Sequence, residues 1–317
     1  MRRLVQSAGN QSCSLGFPRI ILRGSGRRRW DKFCIVPDKN IRKRTSFLSE
    51  QLIIAGFHRS GTSATAQLLQ RAGLFLGYDL LEALPSNPYG HFEDREMVTF
   101  HGQLLADNEQ TWMVGEPLLP VIGPQRWQRM RAMIERRNSE QRLWGFKDPR
   151  ACLFLSPWKY LLPDAKVLIV YRHFSASTRS LGQRHSSDLF QGRGSELVPG
   201  RLWKEPDLAM RMWLVHNKAL LAFARAYPED TLTISVDMVR DGFPLCWALN
   251  RRWRLDLEDV PTGDVFDPSV TTGRSVDKQP VSDRTLVGNV NATWRALEGL
   301  SRKTERLLER GMSLVGE

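Results

Sequence analysis

The chain has 317 residues, 41% of them hydrophobic, and a formal net charge of +12 at pH 7. That length suits one large α/β domain or two small ones with a sizeable core. Residues 1–45 hold twelve Lys or Arg against Asp31 and Asp38, so +10 of the charge sits in the tail, which excludes a basic nucleic-acid-binding body.

A solvated, disordered tail is therefore expected over 1–45, ahead of a single α/β domain over 46–317. Its Arg27-Arg28-Arg29 and Arg42-Lys43-Arg44 clusters can touch anionic surfaces. Neither an apolar run of about 18 residues nor a hydrophobic segment after the charged start is found, so no membrane span or secretory signal is expected. Cys13, Cys34, Cys152 and Cys246 lack CxxC spacing. The expectation is a cytoplasmic chain in a reducing compartment, with no zinc or disulfide framework.

Leu52 to Ala55 is an apolar run, Gly56 and Gly61 follow five apart, and Ala64 to Ala72 is helix-forming. Strand, glycine loop and helix in that order make an anion trap, because glycines let backbone N–H groups crowd a ligand and the helix start adds its unsatisfied donors. Thr62 and Ser63 contribute hydroxyls. In the ATP-type pattern G-x-x-x-x-G-K-[ST] a lysine stands where this chain has Thr62, and the cation here is Arg59. A nucleotide triphosphatase is disfavoured on that ground.

The helix should end at Gly73 or Gly77, and Leu84 to Gly90 is turn chemistry. His91-Phe92-Glu93-Asp94-Arg95-Glu96 opens an expected helix to about Leu105, where acidic residues serve either the helix dipole or chemistry. A charged helix over Pro124 to Arg137 carries Trp127, Met130 and Ile134 on one face. Leu143 to Phe146 then runs into Lys147-Asp148-Pro149-Arg150, an expected strand end, with a helix starting near Ala151. In open α/β sheets ligands bind at that end. Pro149 keeps Asp148 extended and stiffens the mount of Lys147.

Lys166 to Tyr171 is a buried-type strand ending in Arg172-His173 and leading to a helix through Ser180-Leu181. An aspartate there would suggest magnesium; Arg172 selects an anion, and no metal is expected. Residues 183–204 read as a long loop or lid, and Asp207 to Tyr227 as a helix with a core stripe. A strand over Thr231 to Val236 and a helix over Leu245 to Trp253 follow. Residues 261–289 read as loop with Arg274 and Lys278 as possible late cations. Asn291-Ala292-Thr293 starts the closing amphipathic helix to Met312.

Gly56-Phe57-His58-Arg59-Ser60-Gly61-Thr62-Ser63, Gly145-Phe146-Lys147-Asp148-Pro149-Arg150, and Tyr171-Arg172-His173 through Ser180-Leu181 occur in that order. In this the chain resembles the sulfotransferases that use 3′-phosphoadenosine 5′-phosphosulfate (PAPS), nearest to bacterial-type members whose loop reads Arg-Ser-Gly-Thr. The resemblance spans roughly residues 50–260. It implies a three-layer P-loop-type α/β fold, with a central mainly parallel sheet flanked by helices.

It further implies sulfuryl transfer from PAPS to a hydroxyl acceptor (glycan, peptide tyrosine or small alcohol) by in-line displacement, without metal. His58, Arg59, Ser60, Gly61, Thr62 and Ser63 would hold the 5′-phosphosulfate. Arg172 and Ser180 would clamp the 3′-phosphate. Lys147 would help the bridging oxygen leave. Cytosolic small-molecule relatives place a histidine where this chain has Pro149, whereas glycan-modifying relatives use a glutamate beside a His-Phe pair. Glu93 is accordingly the leading general base, with Asp94, His91 and His101 as substitutes. The alternative is a nucleotide-binding or kinase-like P-loop protein without sulfuryl transfer.

Overall fold

In the computed structural model, which describes residues 49–83, 90–192, 197–266, 281 and 283–312, the first apolar run forms strand β1 (Glu50–Ala55). Its residues alternate across the strand. Leu52 and Ile54 pack with one core cluster, Ile53 and Ala55 with another. Both faces are thus covered, as parallel strands require.

Helix α1 (Thr62–Arg71) follows, and the chain leaves it through Gly73 at φ 98°. Helix α2 (Arg95–Asp107) starts four residues later than the expected opening at His91. Phe92 has φ 51°, which no right-handed helix contains. Asp94 is the cap, its side chain accepting from the Glu96 amide at 3.3 Å. The segment before the helix is instead tied to 79–81, with Leu81 N–H on the Glu93 carbonyl and Arg95 N–H on the Asp79 carbonyl, both at 2.8 Å.

Helix α3 (Pro124–Glu140) buries Met130, Met133, Ile134 and Arg137. Strand β2 (Leu143–Lys147) ends at Lys147, Pro149–Leu153 makes a 3-10 turn capped by Asp148, and α4 (Leu155–Leu161) follows. Strand β3 (Lys166–Tyr171) leads into α5 (Phe174–Phe190).

The expected loop over 183–204 is mostly helical. Helix α5 runs on to Phe190, with an Arg184–Asp188 pair one turn apart at 3.8 Å, and α6 (Leu197–Lys204) covers much of the remainder. Helix α7 (Leu208–Ala226), strand β4 (Thr231–Ser235), the short α8 (Val236–Arg240) and α9 (Leu245–Trp253) come next. The last helix, α10 (Arg284–Met312), begins seven residues before Asn291. Asp283 Oδ1 accepts from the Thr285 and Leu286 amides at 2.8 and 3.2 Å, and Leu286 and Val290 are buried.

The strands form one sheet of order β2-β1-β3-β4 with every pairing parallel. One face carries α1, α8 and α9, the other α2, α3, α4 and α7. A third apolar cluster joins α5, α7 and α10. The fold is a three-layer α/β sandwich. Strand order reverses at β1, so its carboxyl end opens beside that of β3, where this class of sheet leaves a crevice. The tail over 1–45, residues 84–89 of the turn over 84–90, and Arg274 and Lys278 lie outside the described residues. Among the described residues no helix is long and apolar enough to cross a membrane.

Candidate active site

A cavity of about 450 Å³ opens at the carboxyl ends of β1, β2 and β3. The loop after β1 forms its floor. A Cβ on Gly56 would stand 2.3 Å from the Val170 carbonyl oxygen, so only glycine lets the end of β1 lie this close to β3. Gly61 adopts φ 84° beneath Val236, where a Cβ would meet Cγ2 at 2.1 Å. Arg59 itself lies at φ 61°. The outcome is a tight turn that points the first turn of α1 into the cavity, where Gly61, Thr62, Ser63 and Ala64 line the wall.

Ser60 behaves differently from its neighbours. It is buried, its amide closes the turn onto the Phe57 carbonyl at 3.2 Å, and its hydroxyl lies 3.5 Å from that of Ser177. Its backbone N–H is thus spent on the loop's shape.

One end of the cavity is a cation cluster. Arg59 Nε donates to Ser180 Oγ at 3.0 Å, and Arg172 Nη1 reaches the Arg59 carbonyl at 3.4 Å. Ser180 is therefore reached from β1 as well as from its own helix. Burial, with the Arg184 and Arg172 guanidinia close by, pulls Arg59 down to about 10. Burial also lowers Arg172. A buried guanidinium depressed by two neighbouring guanidinia favours a bound anion.

The other end centres on Lys147, whose Nζ stands 2.6 Å from Glu93 Oε1 and 3.2 Å from Ser63 Oγ. Lys147 is 1% exposed and Glu93 7%. Arg150 Nη2 lies 3.6 Å from the second Glu93 oxygen. The strand end β2, the start of α1 and the segment before α2 are thereby drawn to one point.

The four base candidates separate. Glu93 and His91 line the cavity. His91 accepts from Arg184 Nη2 at 3.2 Å, and burial draws it down to about 4, so it is a neutral imidazole at pH 7. Asp94 turns away to Arg137, a fully buried partner on α3. His101 is sealed in the core between Asp148 at 2.9 Å and the Trp158 indole N–H at 2.9 Å. Neither Asp94 nor His101 has an atom to spare for a substrate, because each is committed to a buried polar partner.

His58 lines the cavity with Nε2 buried and without a hydrogen-bond partner, and burial followed by the neighbouring His216 holds its imidazole far below the ordinary range. Gln67 Oε1, one turn beyond Ser63, is also unpartnered. Two polar atoms without partners thus stand at the cavity wall, the Gln67 oxygen as an acceptor and the His58 nitrogen in a role its tautomer sets. Among the described residues no group of three or more His, Cys, Asp or Glu is placed to hold a metal ion.

Trp112, Arg184 and His185 line the wall as well, and sequence reasoning assigned them nothing. Trp112 stacks on His185 at 5.2 Å and meets the His58 ring edge-on at 5.0 Å. A usable signal existed for Arg184. It stands one helical turn beyond Ser180, so extending α5 past Leu181 places it on the same face.

No family model matches the chain, and no curated protein matches it. Among solved structures it is similar to the sulfotransferase domain from the Synechococcus PCC 7002 olefin synthase, with 18% identity over 77% of this chain and 94% of that one, at a TM-score of 0.39.

Proposed function

We propose that the chain is a sulfotransferase that moves a sulfuryl group from PAPS to a hydroxyl acceptor. The observation that carries this reading is the division of one cavity. A guanidinium cluster of Arg59 and Arg172 with Ser180 lies at one end, a buried lysine–carboxylate pair at the other, and the start of α1 runs between them. Two anionic groups of one donor, a 3′-phosphate and a 5′-phosphosulfate, match two separated sets of donors.

In this reading Arg172 and Ser180 take the 3′-phosphate, and the first-turn amides of α1 with Arg59, Thr62 and Ser63 take the phosphosulfate. Glu93 removes the proton of the acceptor hydroxyl as its oxygen bonds to sulfur. Lys147 donates to the bridging oxygen as the bond from that oxygen to sulfur breaks, and 3′,5′-ADP is the leaving product. Lys147 is within reach of both Glu93 and Ser63, which supports a proton acceptor and a leaving-group donor acting side by side.

The test is calorimetric titration with 3′,5′-ADP beside ATP and magnesium. Binding of the first and not the second is expected, and labelled PAPS then screens acceptors. The reverse pattern would return the chain to the kinases. Binding of neither, in folded protein, would remove the donor assignment.

A further inference from the structure

Behind Glu93 runs a chain of polar contacts that leads out of the cavity and into the core. Trp158 Nε1 donates to His101 Nε2 at 2.9 Å. An indole nitrogen only donates, so His101 Nε2 is the acceptor and its Nδ1 carries the proton, directed at Asp148 Oδ2, also at 2.9 Å. Asp148 Oδ1 accepts from the amide and from Nε of Arg150, at 3.0 and 2.9 Å. Arg150 Nη2 then stands 3.6 Å from Glu93 Oε2, while Lys147 holds Oε1.

We propose that Arg150, braced from behind by Asp148 and His101, is the positioning residue that fixes the orientation of the Glu93 carboxylate against Lys147. The proposal rests on the reading of Glu93 as general base. Its physical content is the geometry of the guanidinium. Nε and Nη2 lie in one rigid plane, so a fork pinned by Asp148 has its other prong set in place for Glu93.

The rear of the chain is built for rigidity. Side chains of His101 and Asp148 are 0% exposed, and the His101 ring stacks on Phe154 at 5.8 Å and 10°. Burial pushes the Asp148 carboxyl up, yet Arg150 and the His101 hydrogen bond hold it below the usual carboxylate range. A buried ion group seldom stabilises a core better than apolar side chains of equal volume. Here it has an outlet, because Arg150 alone of the chain behind Glu93 reaches the cavity wall. The charged and titratable groups facing Glu93 are Lys147 from β2, Arg150 from the following turn and His91 from its own segment, with Arg184 of α5 behind His91.

The test uses the full chain and the variants Arg150→Met, Arg150→Lys, His101→Phe and the double His101→Phe/Arg150→Met. Crystal structures read the position of Glu93, and turnover of labelled PAPS with water as acceptor reads kcat beside 3′,5′-ADP affinity. Arg150→Met is expected to release Glu93 from its orientation and to lower kcat about tenfold or more, with affinity for 3′,5′-ADP unchanged. Arg150→Lys should not restore kcat, because an ammonium cannot bridge Asp148 and Glu93. His101→Phe should give a smaller loss of the same kind, and the double variant should be no worse than Arg150→Met, as expected for groups acting in series. Additive losses, rescue by lysine, or a Glu93 that stays in place without Arg150 would overturn the proposal. A wild-type chain that neither binds 3′,5′-ADP nor turns over PAPS would instead defeat the functional reading, and the Glu93 positions in the variant crystals would still decide this one.

Discussion

Replacing Arg137 with methionine should cost more than any surface change in the molecule. The Arg137 side chain is 0% exposed and bonds Asp94, itself 1% exposed, with Glu96 Oε2 further off at 3.5 Å. Its guanidinium lies 5.4 Å from the centre of the Trp144 ring and 5.6 Å from that of Tyr78. Methionine fills much of the stem but leaves the Asp94 carboxylate buried without its cation. Breaking a buried pair from one side costs about 3–5 kcal/mol. In a domain of this size that lowers the melting temperature by roughly 6–20 °C.

Urea denaturation at pH 7 and thermal melts followed by circular dichroism read the loss directly. Adding Asp94→Asn removes the stranded charge and keeps the cap of α2, so the double variant should regain at least half of the lost stability. A loss under about 1 kcal/mol for Arg137→Met, or no recovery in the double variant, would refute the reasoning. Because Asp94 follows Glu93 directly, the same variant should also loosen Glu93.

Glu93→Gln should lower turnover by about 10²–10⁴-fold while 3′,5′-ADP affinity holds; a wild-type rate in that variant would take the residue out of the role. Arg172→Ala should weaken 3′,5′-ADP by about 1.5–3 kcal/mol, read by calorimetry, and unchanged affinity would discredit the 3′-phosphate assignment. His216 is buried with Nδ1 donating to the Met212 carbonyl at 2.8 Å, and burial takes it down to about 4. Its folded value lies below the unfolded one near 6.5, so its stabilisation is complete above that pH and is lost as pH falls toward 4, by about 3 kcal/mol. Urea midpoints at pH 7 and 4.5 should converge in His216→Phe relative to wild type; parallel pH slopes in the two proteins would exclude His216 as the source.

The strands and several helices were legible because their signals are local. An apolar run ended by two glycines gave β1 and its loop, and helical spacing bounded by Asp207 and Tyr227 gave α7. Errors fell where tertiary contact overrides the local pattern. Phe92 at positive φ stops a helix that the pattern of His91 to Glu96 begins, and the polar second half of α5 stays helical with Arg184 on His91 and His185 on Trp112. The base candidates crowd into residues 91–101, and only Arg137 and Asp148, distant in sequence, sort them. The resemblance pairs Ser180 with Arg172, and in the structure the Ser180 hydroxyl accepts from Arg59 Nε, at a separation of 121 residues.

A sheet in which each strand meets its neighbours late also shapes how the molecule comes into being. Glu50 pairs with Leu143 and Leu52 with Lys166. At ordinary rates of synthesis β1 leaves the ribosome roughly 5–20 s before a partner exists for either edge. Through that interval Leu52, Ile53, Ile54 and Ala55 form an unpaired apolar strand, the kind of segment that nucleates aggregation. The glycine loop behind it has no Val170 carbonyl for Gly56 to lie against until β3 arrives, so a nascent chain that stops short of Lys166 carries the loop's sequence without the packing that shapes it.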